Sequence, residues 1–95
     1  MPFYSDFRDI LKGINESIER GERVEIYYPK TENTPEGWRV IEPYGIYTDI
    51  PPQGEKLVYG SDRLSPGHIL NAFLVSDEEP RSFIVGKIKG VRKLK

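Results

Sequence analysis

In the segment RSFIVGKI, Arg81, Phe83, Val85 and Lys87 sit at every second position, so on an extended strand they share one face. A guanidinium beside an aromatic ring and a second cation suits an anion or a nucleobase. The arginine can grip a phosphate bidentately while the ring offers a stacking surface. The alternative puts Phe83 in the core and pairs Arg81 with Asp77, Glu78 or Glu79 of the preceding acidic turn, a surface bridge of about 0 to 1 kcal/mol. Arg39 follows Trp38, and Tyr28 lies across an expected hairpin. An arginine and tyrosines on one sheet face bind a base or a phosphate, or else pack as cross-strand pairs of about 0.2 to 1 kcal/mol. Arg63, in GSDRLSPGH, reaches the same surface or is solvated, and Tyr44 reads as a structural tyrosine whose hydroxyl bonds a backbone group. The candidate ligand-binding residues are therefore Tyr28, Arg39, Arg63, Arg81, Phe83 and Lys87.

His68 is the lone histidine, and nothing near it supplies the positioned hydroxyl or thiol and orienting carboxylate of a nucleophile–base pair. With one histidine and no cysteine, and without a carboxylate motif at ligand spacing, a metal site is not expected. Neither a phosphate-cradling glycine loop nor a dinucleotide fingerprint is present. The expectation is a binding protein, not an enzyme, with no catalytic residues, metal or cofactor.

The elements that must carry these residues follow from periodicity. Ser5 precedes Phe7, Ile10, Leu11, Ile14 and Ile18, the three-and-four spacing of one helix face. Ser5 reads as the N-cap and Gly21 as the left-handed C-terminal residue, giving a helix over about 5–20. The period then changes to two, with strands expected at about 23–29, 38–48, 55–60, 68–76 and 81–94. Turn-forming segments TENTPEG, DIPPQGE, RLSPG and DEEP separate them, and a bend is expected near Pro43 and at Gly86 or Gly90. One helix and about five short strands predict a mainly β protein, with a strongly bent antiparallel sheet or partly open barrel whose mouth the helix covers.

Length and composition set the frame for this. Ninety-five residues suit one domain, here 1–95, and leave no room for two cores. The absence of cysteine excludes a disulfide framework. The chain does not open on a basic segment followed by an apolar run, and no stretch approaches the roughly 20 apolar residues of a membrane span, so a soluble cytoplasmic protein without a membrane partner is expected. A net charge of −1 gives no overall pull toward nucleic acid. The distribution is uneven: residues 81–95 hold Arg81, Lys87, Lys89, Arg92, Lys93 and Lys95 with no acid, while 1–36 are biased acidic, so an electrostatically two-sided molecule is one expectation. A solvated strand with a basic tail is the other.

Four segments in order resemble the WYL domain family, named for a Trp-Tyr-Leu motif. They are ERGERVEIYY, a helix end leading into a strand with the pattern x-I-x-Y; RVIEPYGIY, for R-V-x-P-Y-G with one extra residue before the proline; HILNAF, in the place of W-Y-L-x-A-Y; and RSFIVGKI, for R-x-F-x-x-x-K/R-I. The resemblance spans about residues 15–94. It implies a small SH3/Sm-like barrel and a ligand-sensing role in bacterial transcription regulation, with ligands that include nucleotides or single-stranded nucleic acid. It also implies a ligand site that draws on Arg81. His68 and Ile69 replace the naming Trp and Tyr, EKLVYGSDRLSPG lengthens a link that is short in many relatives, and no helix-turn-helix accompanies the domain. The resemblance thus implies a stand-alone sensor or one that works with a separate regulator protein. The rival reading is a protein-interaction or homo-oligomerisation domain that uses exposed sheet edges.

Overall fold

The computed structural model describes residues 3–4, 6–58 and 63–94. Helix α1, Phe7–Arg20, buries Ile10, Gly13, Ile14 and Ser17 on the face turned to the sheet. Its N-cap is Asp6, whose side chain makes no capping bond; Ser5, expected in that role, lies outside the described residues. Gly21 ends the helix at φ 65°, as its sequence position predicts. The Gly21 N–H donates to Ile18 O (3.3 Å) and the Glu22 N–H to Ser17 O (2.9 Å), which satisfies carbonyls that the last turn leaves open.

The strands are β1 (Phe3–Tyr4), β2 (Val24–Tyr28), β3 (Gly37–Tyr47), β4 (Lys56–Leu57), β5 (Ile69–Leu74), β6 (Glu79–Ile84) and β7 (Gly90–Lys93). They form one antiparallel sheet in the order β1-β7-β2-β3-β5-β6, with β4 paired to the far end of β3. The sheet is not closed. It holds more strands than the five expected, for two reasons. The pairing of β1 with β7 involves only two residues, too short to leave a period in the sequence. The stretch expected as one strand over 81–94 is broken by a 3-10 turn at Val85–Lys87. The expected strand at 55–60 is short, with Tyr59 and Gly60 outside the described residues.

β3 organises the sheet. It pairs with β2 through residues 37–41 and with β5 through residues 41–47, and its register shifts between Pro43 and Gly45. The bend expected at Pro43 is therefore a β-bulge, a place where a residue without a backbone donor is tolerated. Tyr44, expected as a structural tyrosine with its hydroxyl bonded to the backbone, is the unpaired bulge residue and is 42% exposed. Alternation buries Val24, Ile26 and Tyr28 on β2, Arg39 and Ile41 on β3, and Leu70, Ala72 and Leu74 on β5. The apolar ones among these side chains, with Ile10 and Ile14 of the helix and Phe83, Val85, Ile88 and Val91 of the last segment, form one core. That core and the bent β3 hold the loop between β2 and β3 close to β6.

Candidate anion site

Period two along β3 sends Trp38 and Arg39 to opposite faces. Trp38 lies on the outer face, edge-on to Tyr27 (5.4 Å between ring centroids) and under the Arg92 guanidinium (4.0 Å). Arg39 points inward and is 7% exposed. Its Nη2 donates to Pro29 O (3.1 Å) and Pro35 O (3.2 Å), the two ends of the β2–β3 loop, and its guanidinium stands 5.1 Å from the Tyr28 ring centroid. Both hydrogen-bond acceptors are neutral. Among the described residues Arg39 has no carboxylate partner, and its buried Nε–H has no acceptor. Burial pushes the guanidinium below its ordinary pKa, opposed by Tyr28 and Asp77. The side chain is a buried cation with no carboxylate in ion-pair contact, and the charge of Asp77 acts on it only from a distance, so much of its desolvation penalty is left for an incoming anion to offset.

Arg39 lines a cavity of about 320 Å³ together with Tyr28, Leu74, Arg81, Ser82 and Phe83 and the loop residues 31–34. Four of the six expected residues therefore converge there: Tyr28, Arg39, Arg81 and Phe83. Arg63 does not line it, and pairs with Glu55 through two bonds (3.1 and 2.8 Å). Lys87 does not line it either, because the 3-10 turn ends the alternation that would have put it beside Arg81 and Phe83.

Arg81 itself is engaged by the turn that precedes β6. It meets Asp77 Oδ2 (3.2 Å) and the Glu79 carboxylate, and its Nη1 donates to Pro80 O (3.2 Å). The pairing expected as the alternative is thus present, in a half-exposed setting where such bridges contribute about 0 to 1 kcal/mol. Phe83 is 3% exposed and packs edge-on against Tyr28 (5.1 Å, 78°). Tyr28 is 5% exposed, and its hydroxyl accepts the Ile84 N–H (2.8 Å). Neither ring presents a free stacking face.

The polar lining was not singled out from the sequence. Thr31, Glu32, Asn33 and Thr34 come from TENTPEG, which reads as a turn, and Ser82 hides between Arg81 and Phe83. The loop is held by the Thr31 N–H donating to Thr34 O (2.9 Å) and by the Arg39 bonds at its two ends. Because the Ile84 N–H points away from β5 to Tyr28, the Ser82 backbone also points away from β5.

His68 is engaged by backbone groups on either side of it. Its Nδ1 accepts the Ser65 N–H (3.0 Å), and its backbone carbonyl accepts the Val85 N–H (2.9 Å). Among the described residues no group of three or more His, Asp or Glu side chains could hold a metal ion, and no helix is long and apolar enough to cross a membrane. No protein-family model matches the chain, and no curated protein matches it.

Proposed function

We propose that this chain is a non-enzymatic, ligand-sensing module of the WYL type that binds an anionic ligand, a nucleotide or single-stranded nucleic acid, in the cavity between the β2–β3 loop and β6. The observation that carries this reading is Arg39, a buried cation with only neutral acceptors, lining a cavity that a second arginine also lines. The SH3/Sm-like part of the proposal is supported by the bent β3 and by the 3-10 turn that leads from β6 to β7 across the sheet. In this reading the module works in the cytoplasm of a bacterium and passes its signal to a separate regulator protein.

Titration of labelled oligonucleotides and nucleotides at two salt concentrations tests the proposal. Binding at low salt that weakens as salt rises and is lost in Arg81→Ala supports it. Arg81 is half exposed, so this variant keeps the core intact. No binding at low salt, or binding indifferent to Arg81→Ala, overturns it.

A further inference from the structure

We infer that the cavity recognises the phosphate and sugar of its ligand and does not read a base, so its ligand class is a small phosphomonoester on a hydroxyl-bearing carrier. This rests on the anion-binding reading above and narrows it. The first ground is what the cavity lacks. Tyr28 and Phe83 are its lining rings; both are buried, each lies against the other, and the Arg39 guanidinium stands over Tyr28. A base cannot stack on a ring whose neighbours already cover it, and stacking is the usual source of affinity for bases without sequence readout.

The second ground is what the cavity offers. Arg39 and Arg81 supply positive charge, the side that a dianionic phosphate needs. Thr31, Asn33, Thr34 and Ser82 supply hydroxyls and an amide that donate and accept, and Glu32 supplies an acceptor suited to a sugar hydroxyl and unsuited to a phosphate. The third ground is size. A volume of about 320 Å³ lies at the small end of ligand cavities, which begin at about 300 Å³.

The test is a set of calorimetric titrations of the whole chain with ribose 5-phosphate, adenosine monophosphate, adenosine and a short labelled oligonucleotide. The expected result is that ribose 5-phosphate and adenosine monophosphate bind with affinities within about threefold of each other while adenosine does not bind, since a stacked base would add about tenfold or more. Adenosine binding, or a monophosphate preferred over ribose 5-phosphate by more than about tenfold, overturns the inference. Oligonucleotide binding without any response to the two small phosphates overturns it while leaving the anion reading in place. Silence from all four ligands overturns both. Glu32→Ala gives a second readout. Weaker ribose 5-phosphate together with stronger inorganic phosphate supports a sugar-facing carboxylate, and a gain for both ligands overturns that role.

Discussion

At the scale of single residues, the deciding contrast is between Arg39 and Arg81. Both are arginines on strands, yet one is buried with neutral acceptors and the other is half exposed and held by Asp77 and Glu79. Asp77 acts on both, through its bridge to Arg81 and through its charge on Arg39. It therefore occupies, electrostatically, the place of a bound anion and competes with one. Asp77→Asn is expected to tighten binding of inorganic phosphate by about three- to tenfold while changing stability by less than about 1 kcal/mol, because the bridge it removes is at the surface. Phosphate titrations and urea unfolding check the two halves, and weaker binding in the variant would mean that Asp77 orients Arg81 instead of competing for it. Tyr28, Arg39, Arg81 and Phe83 were nameable from residue type and alternation, but their states were not. Whether a ring is a stacking face or a core side chain depends on what the β2–β3 loop brings over it, and residues 29–36 carry no periodic signal that fixes where they go.

At the scale of elements, the helix, β2, the bulge at Pro43 and β5 follow from spacing and from backbone chemistry, and they stand close to where the sequence puts them. The break after Ile84 does not follow. IVGKIKGVRK continues to alternate and contains no turn former except glycine, so local pattern favours one strand where tertiary packing imposes a 3-10 turn. What imposes it is the segment before β5: the Gly86 N–H donates to Pro66 O (2.8 Å), and a Cβ on Gly86 would stand 2.7 Å from Pro66 Cβ and 2.8 Å from Pro66 O. Gly86→Ala must push the two segments apart, and it is expected to destabilise the fold by about 1 to 3 kcal/mol, as overpacking does. Urea unfolding measures this, and a change below about 0.5 kcal/mol would show that the turn relaxes freely. The same bend shapes the β6 edge. On its outward side Ile84 is capped by the Tyr28 hydroxyl and Pro80 has no N–H to offer, which leaves Ser82 as the outward donor of that strand. An edge so depleted is a poor template for pairing with a second copy of the chain.

At the scale of the whole molecule, folding offsets part of the uneven charge of the sequence. β7 lies between β1 and β2 and against α1, so its cations meet the acids of the first third of the chain. Lys93 pairs with Glu16 (3.0 Å), Arg92 with Glu25 (2.9 Å) and Lys89 with Glu36 (3.4 Å). Charges far apart in sequence cancel in space, which no local count of residues foretells. Arg39 and Arg81 are the cations that line the cavity, so the salt slope for a single strand held there should be shallow, about −1.4 in log–log form for two phosphates. The pairing also sets the response to acid. Glu16 is held below its ordinary range by its hydrogen bond with and the charge of Lys93, Glu36 by its bonds with Tyr27 and Lys89, and Glu55 by Arg63. A carboxylate depressed in the folded state contributes stability that is fully present above its unfolded value, about 4.3, and is lost as pH falls through the folded value. Stability is therefore expected to be level from about pH 5 to 8 and to fall below about pH 4, with the steepness reduced in Lys93→Gln because Glu16 then loses the largest cause of its depression. Urea midpoints between pH 3 and 8 on the two proteins decide the matter: parallel curves would show that the Lys93 bridge adds nothing, whereas curves that converge as the pH falls place part of the acid sensitivity at the contact between α1 and β7.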